Sequence, residues 1–122
     1  MLGFELLGKG PGTARLRATV RPEHCNFLGS AHGGFVFALA DTALAVASNS
    51  HGPRALAVAA SIHFATAAPA GDVLIAQARE LSLGTRTASY EVTVTAGSDV
   101  VAVFTGTVFR RAERPANSVP EP

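Results

Sequence analysis

The stretch GGFVFALADTALAVASNS, from Gly33 to about Ser50, predicts one long helix. It is rich in alanine and leucine, which favour helices, and contains no proline. It stops before Gly52-Pro53, a pair that ends helices. Its residues are apolar on nearly all sides, as in a helix buried on most faces. We therefore expect a central helix that the rest of the chain covers.

The segments before and after this helix alternate between apolar and polar residues, which predicts strands. Short turns rich in Gly, Pro and Asp separate the later segments, which favours antiparallel pairing. The pattern predicts an α+β fold in which one helix packs on one face of a five- or six-stranded sheet. The predicted strands cover Phe4–Leu7 and Thr13–Val20, joined by a turn over Gly8–Gly12, then Arg54–Thr66, Val73–Ser82, Thr87–Ala96 and Val100–Arg110.

The composition of the 122 residues limits the class of protein. The length fits one domain, predicted over residues 1–111, followed by a polar, Pro-containing tail over residues 112–122 that we expect to be disordered. Hydrophobic residues make up 48 % and charged residues 16 %, below the usual share of about 25 %. This predicts self-association. A net charge of +1 argues against a nucleic-acid partner.

No segment predicts export or membrane insertion. The most apolar stretch, Phe35–Ala47, has about 13 residues against the roughly 20 of a membrane span, and it contains Asp41. One cysteine, Cys25, excludes an internal disulfide and fits a reducing compartment. We expect a cytoplasmic protein. His24 and Cys25 lack partners at zinc-ligand spacing, so no metal site is predicted.

Asp41 is a carboxylate in an otherwise apolar helix. Such a group loses hydration, so it needs either hydrogen-bond partners or a chemical role. Two hypotheses follow: a catalytic carboxylate, or a structural aspartate bonded to neighbouring backbone or to Thr42. The position alone does not separate them.

The start of the helix carries His32-Gly33-Gly34. Free N–H groups at a helix N-terminus bind negative charge, and glycines let a ligand oxygen come close. The turn is therefore a candidate oxyanion hole. The alternative is an ordinary turn in which His32 caps the helix. Asn26 lies in the preceding loop, where an asparagine commonly bonds its own backbone.

The spacing Asn26-x2-Gly29-x2-His32-Gly33-Gly34-x2-Phe37-x-Leu39-Ala40-Asp41 resembles the signature of hotdog-fold acyl-CoA thioesterases of the phenylacetate-pathway, or PaaI, type. Downstream segments are similar too. They are Ser61–Phe64 followed by Pro69–Asp72, Arg86–Tyr90, and Ala102–Thr107. The resemblance covers about residues 12–110. It implies the hotdog fold, in which a sheet wraps a long central helix.

The resemblance also implies roles for individual residues. Asp41 would act as general base on water or as nucleophile, and the Gly33 N–H would polarise the thioester carbonyl. His32 and Asn26 would orient the thioester and the attacking water. The site would form between two subunits, so we expect a homodimer at least and a homotetramer by analogy. The expected substrate contacts are Gly34, Phe37, Ser61, His63 and Arg86.

The expected reaction is hydrolysis of an acyl-CoA, with an aromatic (phenylacetyl-type) or medium acyl group, to a free acid and CoA, without metal or cofactor. Two alternatives stay open: a hotdog dehydratase of hydroxyacyl thioesters, and a non-catalytic acyl-CoA-binding protein. With Lys9 as the one lysine, the phosphates of CoA must meet arginine or backbone donors. We expect Arg86 to bind phosphate, and Arg110 and Arg111 to be solvated charges.

The chain departs from this family in the segment that resembles the family's second strand. Relatives often place a Ser or Thr near the attacking water, whereas the aligned positions here are Ala57 and Ala59, with Ser61 slightly farther on. Relatives also tend to carry Asp or Asn where this chain has His63.

Overall fold

The computed structural model describes residues 2–111, in which one helix packs on a six-stranded antiparallel sheet. The strand order across the sheet is β1-β2-β4-β5-β6-β3. This confirms the predicted α+β hotdog architecture. The tail predicted over residues 112–122 lies outside the described residues. The elements are β1 (Glu5–Gly10), β2 (Thr13–Thr19), α1 (Gly33–Ser48), β3 (Ala55–Phe64), β4 (Val73–Leu83), β5 (Thr87–Ala96) and β6 (Asp99–Arg110).

The largest error in the predicted boundaries is at the first turn. Strand β1 continues through Gly8 and Lys9 to Gly10, with a shift in its register between Leu6 and Gly8. The turn is confined to Pro11-Gly12, where Gly12 adopts a φ of 70°. The prediction assigns Gly8 and Gly10 to the turn, but a bulged edge strand accommodates glycine as well.

The core lies between α1 and the helix-facing side of the sheet. Strands β2, β4, β5 and β6 bury alternate residues against it, and many of these are small, such as Ala76, Ala78 and Ala102. Small side chains let the helix lie close to the sheet. At Gly106, an added Cβ would come within 2.8 Å of a Leu44 methyl carbon. The buried residues of the helix are Phe35, Val36, Leu39, Ala40, Ala43, Leu44, Ala47 and Ser48.

Two apolar surfaces stay uncovered in a single chain. The first is a strip along α1, formed by Gly34, Phe37, Ala38, Asp41 and Ala45, all partly or fully exposed. The sequence predicts a helix buried on nearly all sides, and this strip is the exception. The second is β3, which lies at one edge of the sheet and is exposed from Leu56 to Ser61. An apolar edge strand with unpaired N–H and C=O groups is a template for pairing with another strand.

A polar cluster at the far end of the helix joins it to the sheet. The Tyr90 hydroxyl donates to Glu80 Oε1 at 2.6 Å, and His51 Nε2 lies 2.7 Å from the same oxygen. Burial raises the pKa of the Glu80 carboxyl, but the bonds from Tyr90 and His51 and the charges of His51 and Arg110 outweigh it. The pKa of Glu80 therefore lies below its ordinary 4.5, while burial and the bond to Glu80 raise the pKa of Tyr90.

We predict that Glu80→Gln destabilises the protein by about 1–2 kcal/mol at neutral pH, since hydrogen bonds to a charged group are replaced by neutral ones. Because the folded-state pKa of Glu80 is lowered, its ionised form stabilises the fold fully above pH 4.5. This contribution disappears as the pH falls through the folded-state value. Urea denaturation from pH 7 to pH 3 should therefore show the two proteins converging in acid.

The matched control is Glu91→Gln, since Glu91 pairs with a mostly exposed Arg79 on the outer face of the sheet. Such an exposed ion pair contributes little to the free energy of unfolding. A stability difference between wild type and Glu80→Gln that stays constant across this pH range would contradict the role given to the Glu80 carboxylate.

Candidate functional site

The loop before the helix is organised by Asn26. Its Oδ1 accepts the N–H of Leu28 at 2.9 Å and of Ser30 at 3.3 Å, while the Asn26 N–H donates to the Ser30 carbonyl. The side chain therefore closes its own loop, as an asparagine commonly does. Because the oxygen is occupied, the two hydrogens on Nδ2 are the donors that this side chain has left.

His32 caps the helix, in agreement with one of the two hypotheses for this turn. Its Nδ1 accepts the Gly34 N–H at 3.0 Å, and its carbonyl accepts the N–H of Phe35 and of Val36. A ring nitrogen that accepts carries no proton, so neutral His32 holds its hydrogen on Nε2 and presents it as a donor. A Cβ at residue 34 would lie 3.2 Å from His32 Nδ1, so Gly34 leaves room for this cap.

The cap leaves the N–H of Gly33 without a partner among the described residues, since neither the ring nor the carbonyl of His32 reaches it. This N–H lies in the first turn of α1, where the helix dipole adds a partial positive charge. Asn26 and Gly33 line one cleft, and His32 caps the same helix, so Gly33 N–H, His32 Nε2–H and Asn26 Nδ2 are three donors around the start of α1, which we call the donor set. Such a set suits a carbonyl oxygen that gains negative charge.

His24 holds this loop against the helix, a role that the sequence did not reveal. Its ring stacks on Phe35, with the centroids 4.1 Å apart and the planes 16° from parallel. Its Nδ1 accepts the Arg21 N–H at 3.2 Å, and its carbonyl accepts the N–H of His32 at 2.8 Å. His24 is itself buried. The loop that carries part of the donor set is therefore packed against the helix and held by hydrogen bonds.

Asp41 lies on the partly exposed strip of α1. No group of residues 2–111 donates a hydrogen bond to its carboxylate, and the Thr42 hydroxyl instead donates to the Ala38 carbonyl. The structural hypothesis, in which Thr42 or nearby backbone ties down Asp41, has no support in this geometry. Asp41 is eight residues after Gly33, a rise of about 12 Å along the helix. One chain therefore does not bring the carboxylate to the donor set.

A cleft of about 410 Å³ opens beside the donor set. Its walls come from the Asn26 loop, the start of α1 and the segment after β3. Phe64 forms one side, and its ring lies 3.2 Å from the point where a Cβ on Gly33 would stand. No pattern in the sequence singles out this segment. The lining residues are Asn26, Leu28, Ser30, Ala31, Gly33, Val36, Phe64, Ala65, Thr66, Ala67, Ala68 and Val101.

Ser61 and His63 lie on the outer face of the sheet. Ser61 pairs with Thr105 in the strand register, and their hydroxyls are 2.9 Å apart. The neighbouring Phe104 is buried on the helix-facing side, so Ser61, together with His63 two residues on, points the other way. Within one chain, these two residues are not brought together with Asp41 or the donor set. Ala57 pairs with the buried Val108 and so shares the helix-facing side.

Arg86 lines a second cleft of about 890 Å³ at the opposite end of β3. Arg110 and Arg111 line it too, so three arginines meet at one end of the sheet. Arg110 is held in place, because its Nη1 donates to the Gly84 carbonyl at 2.7 Å and its N–H donates to the Arg86 carbonyl. It therefore braces the turn that carries Arg86, whereas the sequence predicted a solvated charge.

Within residues 2–111, no three His, Cys, Asp or Glu side chains are grouped as metal ligands would be. The part of the chain that the structure describes also contains no helix long and apolar enough to cross a membrane.

Comparison with known proteins decides the family. The sequence profile of the thioesterase superfamily matches residues 28–103, which include Gly33 of the donor set and Asp41. The chain belongs to the thioesterase superfamily. It is 39 % identical over 106 residues to the acyl-coenzyme A thioesterase PaaI of Escherichia coli K12, a match that covers 86 % of this chain and 76 % of that protein.

Two solved structures extend the comparison. A mutant of the phenylacetic acid degradation protein PaaI from Thermus thermophilus is 44 % identical with a TM-score of 0.88, over 90 % of this chain and 95 % of that one. A Streptococcus mutans UA159 protein bound to acetyl CoA is 30 % identical with a TM-score of 0.88, over 93 % and 92 % of the two chains. The predicted hotdog thioesterase of the PaaI-type family is thereby confirmed.

We predict that Asn26→Asp separates the two roles of this side chain. The carboxylate still accepts from Leu28 and Ser30, so the loop and the melting temperature should be preserved. The Nδ2 donors are lost, and thioester hydrolysis should fall by about 10²-fold, as for removal of one oxyanion donor. Asn26→Ala removes both roles and should lower stability as well as rate. If Asn26→Asp kept the wild-type rate, the side chain would serve the loop alone.

Proposed function

We propose that this protein hydrolyses acyl-CoA thioesters to a free acid and CoA, with Asp41 supplying the carboxylate and Gly33 the oxyanion N–H. The observation that carries this proposal is that hydrogen-bond donors and a carboxylate occupy different positions on one helix, α1. Its N-terminus presents only donors, whereas its middle presents one carboxylate that no described residue neutralises. Thioester hydrolysis needs both kinds of group. Membership of the thioesterase superfamily supports the assignment.

In this mechanism, the thioester carbonyl oxygen accepts the Gly33 N–H, with His32 Nε2–H or Asn26 Nδ2 beside it. Asp41 takes a proton from water, which attacks the carbonyl carbon; alternatively, the carboxylate itself attacks and water then releases the acid. The CoA thiolate leaves once the tetrahedral intermediate collapses. A positioned base contributes about 10²–10⁴-fold and one oxyanion donor about 10²–10³-fold.

The complete site is proposed to form between two subunits. Asp41 and Gly33 of one chain stand about 12 Å apart on a rigid helix, yet both must reach the same carbonyl group. A two-fold axis beside the exposed β3 edge would pair β3 with its copy in antiparallel fashion and make one continuous sheet. It would bring the helix strip of each chain toward the donor loop of the other. Asp41 of one subunit then faces Asn26, His32 and Gly33 of its partner.

The same symmetry gives Arg86 a role. In one chain, Arg86 lies at the Ala55 end of β3, while the donor set lies at the Phe64 end. Antiparallel pairing brings these ends together across the interface. A thioester bound at the donor set of one subunit can then extend its CoA phosphates to Arg86 of the other. We propose a tetramer of two such dimers, and a cytoplasmic location that the free thiol of Cys25 supports.

We predict that Asp41→Asn lowers kcat by about 10²–10⁴-fold, the usual contribution of a general base. Free-thiol release from acyl-CoA measures the rate. Sedimentation and thermal melting should show an unchanged oligomer and stability. The matched control is Asp99→Asn, which changes an exposed aspartate at the start of β6 and should behave as wild type.

A kcat for Asp41→Asn within a few-fold of wild type would remove this carboxylate from the mechanism. Acyl-CoA binding without turnover by the wild type, or hydration of an enoyl thioester, would support the alternative functions. A monomer at micromolar concentration would contradict the shared site.

We predict that Arg86→Ala raises the KM for acyl-CoA about tenfold with little change in kcat, because a phosphate contact contributes uniform binding. The variant should lose little against a truncated thioester without the nucleotide. Arg17→Ala, which removes an arginine paired with Glu5 at the other side of the sheet, is the control and should keep its KM. Equal losses on both substrates would mean that Arg86 acts through folding.

A further inference from the structure

We propose that the 410 Å³ cleft between the Asn26 loop and the segment after β3 is the acyl subsite, and that Phe64 is the residue that determines acyl specificity. This inference rests on the proposed thioesterase function and extends it to the part of the substrate that the cleft takes. No role was predicted from the sequence for Phe64 or for residues 65–68.

The first argument is position. Asn26 and Gly33 supply two of the proposed donors to the carbonyl oxygen, and both line this cleft. A carbonyl held by these donors therefore stands at the edge of the cleft. The two substituents on the carbonyl carbon, the acyl chain and the sulfur, must extend in different directions. If the sulfur side runs toward the arginine cleft of the partner, the acyl side enters the cleft of the same chain.

The second argument is chemistry. Among residues 2–111, no charged side chain lines the cleft, and its polar side chains are limited to Asn26, Ser30 and Thr66. The deeper walls are apolar, with Val36, Ala68 and Val101 buried. A carboxylate on the acyl group would lose its hydration there without a cation to replace it. The cleft therefore selects neutral apolar acyl groups over dicarboxylic ones.

The third argument is size and rigidity. A volume of about 410 Å³ falls among pockets that hold whole small ligands, roughly 300–1,000 Å³, so acetyl would leave most of it empty. The walls are fixed by backbone bonds: Ala31 N–H donates to the Ala68 carbonyl at 2.7 Å, and the N–H groups of Ala65 and Thr66 donate to the Val101 carbonyl. Longer or aromatic acyl groups should therefore gain from burial.

Phe64 is the wall of the cleft that packs against Gly33, the proposed oxyanion donor. Its ring packs closely against Gly33, since a Cβ at that position would lie 3.2 Å from the ring. In the single chain the ring is half exposed, at 51 %, so one of its faces is not covered by this subunit's own residues. An aromatic acyl group beside it would gain ring–ring contact as well as burial. Phe64 contributes shape and apolar surface and takes no part in proton transfer.

The test compares kcat/KM for acetyl-, butyryl-, hexanoyl-, phenylacetyl- and succinyl-CoA in wild type, Phe64→Ala and Ala67→Leu. In wild type, each buried methylene should raise kcat/KM about fourfold, equivalent to ~0.8 kcal/mol, and succinyl-CoA should fall well below butyryl-CoA. Ala67→Leu fills the cleft. It should lower kcat/KM for hexanoyl- and phenylacetyl-CoA about tenfold or more and leave kcat/KM for acetyl-CoA unchanged. Phe64→Ala should lower kcat/KM for phenylacetyl-CoA more than kcat/KM for hexanoyl-CoA.

The matched control is Leu6→Ala, which removes a half-exposed apolar side chain from β1 at the opposite edge of the sheet. It should leave the whole profile unchanged. Two outcomes would show that the acyl group binds elsewhere and that the inference is wrong. In the first, hydrolysis proceeds but Ala67→Leu lowers kcat/KM equally for all acyl groups. In the second, kcat/KM for succinyl-CoA equals that for butyryl-CoA. If no acyl-CoA is hydrolysed, the proposed function itself fails. Thermal melting of each variant separates misfolding from altered specificity.

Discussion

The rise of a single α-helix is the constraint on which the candidate site depends. Helix α1 carries both the Gly33 N–H and the Asp41 carboxylate, and its packing against the sheet makes it a rigid rod. Eight residues of α-helix separate the two groups by about 12 Å. No change of rotamer closes that distance. A reaction that uses both groups on one carbonyl therefore requires a second copy of the helix, related by symmetry.

The uncovered surfaces of the single chain are consistent with this requirement. The apolar strip on α1 surrounds Asp41, and the apolar edge strand β3 lies at one side of the sheet, so both would be covered by the same two-fold partner. Small residues on the strip, such as Ala38 and Ala45, permit close approach. At the other end, His51, Glu80 and Tyr90 hold the end of the helix to strands β4 and β5, and so fix the direction of the rod.

Much of the fold was predictable because its signals are local. Alternation in Thr13–Val20 and Thr87–Ala96 marks half-buried strands, and the apolar run from Gly33 marks the helix. The errors arose where a residue type has more than one use. Gly8 and Gly10 indicated a turn but lie in a bulged strand, and Arg110 indicated a solvated charge but braces the turn at Gly84.

The site was predictable in part for the same reason. Asn26, His32, Gly33 and Asp41 are close in sequence, and their spacing carries the resemblance. The cleft is different, because it joins residues 26–36 to residues 64–68 and to Val101, which meet only after the sheet has formed. The stacking of His24 on Phe35 and the placement of Ser61 on the outer face depend equally on long-range packing and strand register. No local pattern in the sequence encodes these contacts.

The shared site is tested most directly by mixing two inactive variants, Asp41→Asn and Asn26→Asp, after dissociation and reassembly. In a mixed dimer, one site carries both substitutions and the other carries neither. Random reassociation should then restore about a quarter of the wild-type activity, because half of the dimers are mixed and each has one intact site. If each site were built from a single chain, every site in the mixture would carry one substitution. Activity that stays at the level of the separate variants would contradict a site formed between two subunits.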